Sequence, residues 1–471
     1  MIQRFMVWIR QVLTRVLQKL DIKQAVGLDV AVSPEMADEI GLWEKLYRNE
    51  PPWKSDTVIP LGLPAAVAGE LARLTTLELK TQVSGSARAD WLDSQRAPFI
   101  AMLQAKVEQG CALGGMAFKP YPAGEGLAID CTPADRFFPT GFDGTGHVTG
   151  GVFVDQFTRG KQYYTRFETH SLGTDGIYTI RNTAYMSNTP ASLGVPVPLG
   201  SVPAWSELDE EVTLANIKKP LFGYFRVPLA NNIDRGSPLG VSVYARAVPL
   251  FQQADEQWER LIWEFRASEL AVDVSSRAFR IDTNTGRPDI PKGYRRFFRA
   301  LDIGGDDKPL YNVFSPQIRE DPLYKGFQDI LRRIEFQCGL AYGTLSDPQT
   351  VEKTAEEVKT SKQRSYSTVS SLQAALQVAL DDLTYAMDVW ATVARLAPAG
   401  KYETSYTWDD SIVTDSDKEF AQRMQLCAAG ALRPELVIAW YFGLPHETPE
   451  DLQSIRERYM PDMEAIVGGG E

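Results

Sequence analysis

The chain has 471 residues, with 49 Lys and Arg against 61 Asp and Glu, and its formal charge of −12 excludes the global basic footprint of a protein that grips nucleic acid. Cys111, Cys131, Cys338 and Cys427 are far apart and form no C-x-x-C pair, which argues against a zinc ribbon or a dense disulfide framework and fits reduced, cytosolic assembly. The length gives room for a large core and two to four domains.

From Met1 to Leu20, apolar residues such as Ile2, Phe5, Ile9, Val12, Val16 and Leu20 fall on one helical face, with Arg4, Arg10, Arg15 and Lys19 elsewhere. Those cations break any 18-residue apolar run, so a spanning helix is not expected, and docking on protein is favoured over lying on a membrane. Trp43 to Trp53 ends a helix at the Pro51-Pro52 pair. Ala65 to Leu79 and Trp91 to Glu108 each read as one helix. Strand patterns follow around Met116 to Lys119 and Leu127 to Cys131, then at Gly151 to Phe157, Tyr163 to Phe167 and Ile177 to Arg181, predicting an antiparallel sheet set between helical parts. Residues 189–202 read as loop.

A helix follows with Phe251, Ala254, Trp258, Leu261 and Phe265 at heptad spacing, and Asp255, Glu256, Glu259, Glu264 and Glu269 on other faces. At Ala271 the period switches to strand, and Tyr294 to Arg299 reads as a strand paired with it. Between Arg277 and Arg299, seven cations, Arg277, Arg280, Arg287, Lys292, Arg295, Arg296 and Arg299, face only Asp282 and Asp289. In an acidic chain such a reversal suits a partner's acidic surface or a solvated hairpin equally. Pro322 to Cys338 returns to helix, with Phe327, Ile330, Leu331 and Ile334 inward and Lys325, Arg332 and Arg333 outward.

A Gly-flanked loop then feeds the longest helical pattern. Thr354-Ala-Glu-Glu357 reads as a capping box, and no Gly or Pro interrupts the chain until Pro398, which allows a helix of roughly 64 Å. Leu372, Leu376, Ala379, Leu383, Met387, Trp390 and Val393 form one apolar seam, while the first third is polar and suits a solvated or channel-facing surface. A strand at Tyr402 to Trp408 and three short helices complete the pattern.

No catalytic arrangement is recognisable. There is no G-x-x-x-x-G-K-[ST] loop and no G-x-S-x-G elbow, and His446-Glu447 lacks the second His that a zinc helix needs. The carboxylate pairs Asp381-Asp382 and Asp409-Asp410 are expected to be solvated. No cofactor or metal is expected. Two readings from different classes remain open: a structural or scaffold component of a larger assembly, and a metal-dependent enzyme built from scattered carboxylates.

Three stretches in this order, Tyr47-Arg-Asn-Glu-Pro-Pro-Trp53, Lys219-Pro-Leu-Phe222 with Asn231-Asn-Ile-Asp234 and Ser237-Pro-Leu-Gly240, and Gly339-Leu-Ala-Tyr-Gly-Thr-Leu-Ser346 leading to Lys353-Thr-Ala-Glu-Glu-Val358, resemble the portal proteins of tailed bacteriophages, in the siphophage portal and minor capsid branch. The resemblance implies an α+β, mainly helical portal fold. It divides the chain into an N-terminal wing (1–245), a first stem helix (246–272), a clip (273–320), a second stem helix (321–339), a tunnel loop (340–353), a long helix with wing return (354–415) and a crown (416–471). It also implies a cyclic homo-oligomer, commonly of twelve copies, at one capsid vertex of the virion, assembled in the host cytoplasm. Double-stranded DNA would pass through without sequence readout. Partners would be the terminase large subunit, a head–tail adaptor, and major capsid and scaffolding proteins, with no membrane and no activity of its own. On this chain Thr344, Ser346, Asp347, Gln349, Thr350, Glu352 and Lys353 would line the channel. Arg277, Arg280, Arg295, Arg296 and Arg299 would meet clip partners, and Glu264, Glu269, Lys325, Arg332 and Arg333 would belong to the stem. The chain's acidity suits passage better than capture, because each neutralised phosphate adds salt-dependent affinity.

Overall fold

The computed structural model describes residues 19–189, 192–275, 280, 298–301, 311–348, 355–408, 416–442, 444–446 and 448–460. Helix, at 44%, outweighs strand, at 24%, as expected of a mainly helical mixed chain. Two compact units emerge, Met1–Leu77 with Thr81–Tyr406, and Glu78–Lys80 with Thr407–Glu471.

The chain opens with α1 (Lys19–Val26), α2 (Pro34–Tyr47), α3 (Leu63–Thr76), β1 (Leu79–Ser84), α4 (Ala87–Ala101) and α5 (Leu103–Leu113). Ser33 caps α2, its Oγ accepting from the Met36 N–H, with Pro34 at the first helical position where no N–H is needed. The single helix expected over Trp91 to Glu108 is two. Pro98 deletes an N–H from the ladder, and Met102 leaves helical geometry at φ −106° and ψ 5° before α5 restarts. Apolar spacing runs straight through the break, from Leu92 and Phe99 to Leu103 and Val107, which is why periodicity alone merges the two.

Strands β2 (Gly115–Ala123), β3 (Gly126–Pro133), β4 (Phe137–Phe142), β5 (Val148–Arg159), β6 (Gln162–Leu172), β7 (Tyr178–Ser187), β8 (Val195–Val197), β9 (Glu211–Leu214) and β10 (Gly223–Arg226) follow. They build a sheet in the order β4-β5-β6-β7-β8, with β9 also on β7, and a second in the order β10-β2-β3. All these pairings are antiparallel, and β8 lies within the stretch expected to be loop. Phe137, Phe153 and Phe222 meet at 4.7 to 5.4 Å between ring centroids and tie the two sheets together over Ala117.

Next come α6 (Val248–Ala267), β11 (Ala271–Ser275), β12 (Phe298–Leu301), β13 (Tyr311–Phe314), α7 (Glu320–Cys338), α8 (Ala355–Val393) and β14 (Glu403–Trp408). At 39 residues α8 is about 58 Å long. Its expected seam is buried from Leu372 to Met387, but it fades at the end, where Val393 is 47% exposed. Arg88 of α4 is buried and holds that end, donating to the Asp388 carboxylate at 2.8 Å, the Thr392 hydroxyl at 2.6 Å and the Ala397 carbonyl at 2.8 Å. Asp381 and Asp382 are not simply solvated. Asp381 accepts from Thr404 at 2.6 Å and Tyr406 at 2.9 Å, and Asp382 pairs with Lys219 at 2.8 Å. Asp409 and Asp410 lie outside the described residues.

In the second unit, α9 (Ser416–Ala428), α10 (Pro434–Phe442) and α11 (Pro449–Tyr459) pack together, with buried Glu435 of α10 bonded to Arg456 of α11. Thr448 and Asp451 form a reciprocal capping box at the start of α11. No helix among the described residues is long and apolar enough to cross a membrane.

Candidate functional site

Helices α6 and α7 form an antiparallel pair. Near the chain reversal Arg319 clamps Glu264 with two guanidinium bonds, at 3.0 and 2.9 Å, and adds its backbone N–H at 3.1 Å. Further along, Gln257 donates to the Leu323 carbonyl at 3.0 Å and the rings of Trp258 and Phe327 meet at 5.4 Å. Arg319 holds the Glu264 carboxyl below the ordinary carboxylate range. Glu264 and Asp255 therefore depart from the outward placement expected of them. Both are buried, and Asp255 accepts from the Trp53 indole at 2.8 Å and the Leu61 N–H at 2.9 Å. Burial raises the Asp255 pKa against those two bonds.

Glu269, Lys325 and Arg333 are exposed, as the sequence suggested, whereas Arg332 is half-buried and pairs with Asp329 at 3.1 Å.

Between the two helices sits the order β12-β11-β13. Of the partner strand expected over Tyr294 to Arg299, only Phe298 and Arg299 fall within the described residues; they belong to β12, which runs parallel to β11, and the antiparallel neighbour is β13. Asp273 on β11 lies opposite Arg299 on β12 and binds it at 2.7 Å, while the guanidinium covers the Phe314 ring at 4.3 Å. Arg299 is thus half committed to its own sheet, and Arg280 is exposed. Arg277, Arg295 and Arg296 lie outside the described residues, as do Gln349, Thr350, Glu352 and Lys353 of the loop.

The loop's first turn is built on α7. Gly339 ends that helix in the left-handed region, φ 71°, its N–H reaching the Glu335 and Phe336 carbonyls, as only glycine does without strain. The chain then folds back over Glu335. Its Oε1 accepts the N–H groups of Gly343 at 3.1 Å, Leu345 at 2.6 Å and Ser346 at 2.8 Å, and its Oε2 takes the Ser346 hydroxyl at 2.9 Å. Gln328, about two turns earlier on the same face, accepts the Asp347 N–H at 2.7 Å. Ser346 is consequently only 4% exposed. It is a strut of the turn and not a channel-facing hydroxyl, which corrects its expected placement. Thr344 is exposed with its hydroxyl on the Ala341 carbonyl, and Asp347 is half-buried. Nearly three turns into α8, Arg364 covers the Phe336 ring at 4.2 Å, so this part of α8 lies beside the C-terminal end of α7.

Glu335 and Gln328 are the residues that motif reading overlooks. Both sit at helical spacing with Leu331 and Cys338, so a signal existed: acid and amide on an apolar face, just before a glycine-flanked loop. Among the described residues, no group of three His, Cys, Asp or Glu side chains could hold a metal ion. No family model matches the chain, and no curated protein matches it.

Proposed function

We propose that the chain is the subunit of a portal-type ring, a conduit for double-stranded DNA at one capsid vertex of a virion, without catalytic activity of its own. The observation that carries this reading is a sequence of parts: an antiparallel helix pair α6 and α7, a small sheet at its far end, a loop rooted on a buried acid, and then a helix of 39 residues. A shape of this kind suits repetition around an axis, because each copy offers different faces of its long helices to left and right. The overall charge of −12 suits a conduit that lets DNA pass without gripping it.

Within this reading Thr344, Asp347 and the stretch 349–353 face the channel, and the tip of the helix pair docks the packaging motor and later the head–tail adaptor. Its cations Arg280, Arg295 and Arg296 supply the charge. Arg299 is a poor choice for reversal, since glutamate there would sit against Asp273. Arg280→Glu, Arg295→Glu and Arg296→Glu together should abolish adaptor binding while leaving assembly unchanged.

Electron microscopy with mass measurement in solution tests the reading. Twelve copies of a 52.5 kDa chain weigh about 630 kDa. A cyclic particle near that mass with an open axis is expected, and a closed dimer would overturn it.

A further inference from the structure

Two features at opposite edges of the six-stranded sheet complement each other. At the β4 edge lies a cleft of about 140 Å³, floored by alternate residues of the β10 segment and flanked by α8 and the β4–β5 turn. Phe222, Pro228 and Val378 give it an apolar wall, and Val378 is 42% exposed. Among its polar groups, Asp382 is taken by Lys219 at 2.8 Å and Thr145 by Asp143 at 2.6 Å, whereas Arg226 and Tyr224 keep open valences. Arg226 donates one bond, from Nη1 to the Pro238 carbonyl at 2.8 Å, and has no carboxylate partner among the described residues. The Tyr224 hydroxyl has no hydrogen bond among them either. Across the cleft, His147 has Thr145 at 3.3 Å and the Asp143 carboxylate at 3.7 Å from its Nδ1, and Asp143 also fixes the turn by accepting the Thr145 and His147 N–H groups, so the cation left open to a new anion is Arg226. A half-buried guanidinium beside a phenol and an imidazole calls for an anion carried on an apolar body.

Such a group projects from the other edge. Residues Glu207, Leu208, Asp209 and Glu210 are all exposed, with Leu208 40% exposed, and none of the three carboxylates pairs with a cation among the described residues. The loop is stiff. Trp205 beneath it is buried against Phe157, and Asn182 of β7 donates to the Asp209 and Glu210 carbonyls at 2.9 and 2.8 Å. β9 and β4 are separated by four strand spacings, roughly 19 Å, so the loop cannot reach the cleft of its own chain.

We propose that the Arg226 cleft receives the Glu207–Glu210 loop of a second copy of this chain, Leu208 against the apolar wall and a carboxylate on the guanidinium. Because socket and plug lie on opposite edges, the contact is head to tail, and each copy both gives and receives. Closure of such a series into a ring rests on the function proposed above, whereas the contact itself does not.

The test is a full-length chain in which the two partly exposed native cysteines are removed as Cys131→Ser and Cys427→Ser, carrying Leu208→Cys and Val378→Cys, both exposed positions, oxidised and run without reductant. A ladder of dimers, trimers and higher species is expected. Either single variant should give dimers at most. Adding Arg226→Glu should slow cross-linking about tenfold, and combining it with Asp209→Lys and Glu210→Lys should restore the ladder. Absence of a ladder, or a ladder indifferent to Arg226, overturns the contact. Rings seen by microscopy without a ladder would leave the portal reading standing and remove this interface. A ladder from a protein that forms no closed ring would do the reverse.

Discussion

Oε1 of Glu335 gathers three backbone N–H groups while Oε2 takes the Ser346 hydroxyl, so one buried carboxylate shapes the whole first turn of the loop. The arrangement separates two substitutions by chemistry. In Glu335→Gln the amide oxygen can keep the three N–H groups and the amide nitrogen can donate to Ser346, so the loss should be about 1–2 kcal/mol. Glu335→Ala strands several donors in a dry site and should cost roughly 3–5 kcal/mol. Urea unfolding measures both, and equal losses would show that the carboxylate does not organise the turn.

Arg88 fixes the other end of α8. Its guanidinium is spread over Asp388, Thr392 and Ala397, a fork that lysine cannot reproduce. Arg88→Lys is expected to lose about 2–4 kcal/mol and to open the last two turns of α8 to hydrogen exchange, with the middle of the helix unaffected. Protection unchanged near Asp388 would mean the helix end is held by its apolar contacts alone.

Much of this was legible in the residues, for reasons that differ by element. The strands β6 and β7 alternate over most of their length because one face meets core, β5 is buried on both faces through its middle yet keeps its strand-forming composition, and the Gly339 break is local chemistry. What local pattern could not give was the fate of polar groups settled by distant partners. Ser346 reads as a channel hydroxyl until Glu335 folds under it, and Asp381 reads as solvated until Thr404 and Tyr406 arrive from β14. The parallel pairing of β11 with β12 is likewise invisible, since both strands carry the same alternation whichever way they run.

Gly223 marks where α8 meets the β10-β2-β3 sheet. A Cβ there would sit 2.0 Å from the Ala379 carbonyl oxygen, a backbone atom that no side-chain rotation can clear. Gly223→Ala must push α8 off the sheet, at a cost of roughly 3 kcal/mol or more. Gly124, in the β2–β3 turn with nothing within 4 Å of its Cβ position but φ +62°, serves as a control limited to backbone strain, about 1 kcal/mol. Thermal unfolding of the two variants should therefore differ clearly, and similar melting temperatures would place slack at the α8 contact.

Acid should act around the six-stranded sheet through buried His170 and Asp135 and largely buried Glu168, with opposing signs. His170 lies 2.8 Å from Glu168 through Nε2 and 2.9 Å from the Tyr178 hydroxyl through Nδ1. Burial lowers its pKa against the pull of Glu168, so the ring is neutral, Nε2–H donating to the carboxylate and Nδ1 accepting from Tyr178. Glu168 is pushed up by burial but pulled down further by Lys119 at 2.6 Å, by His170 and by Arg166 at 3.0 Å, ending well below the carboxylate range. For both groups the unfolded chain takes up protons first, so their contribution is lost as pH falls, through His170 from about pH 6.5 and through Glu168 below about pH 4.3. Asp135 runs the other way. Burial raises it to about 6, ahead of the opposing pull of Arg136, so the native state binds this proton first and gains stability between about pH 6 and pH 4. Asp135→Asn should therefore raise stability at pH 7 by about 2 kcal/mol and make the loss between pH 6 and pH 4 steeper than in the unaltered protein. Urea midpoints from pH 4 to pH 8 decide it: parallel curves for the two proteins would mean that Asp135 titrates like a solvated acid.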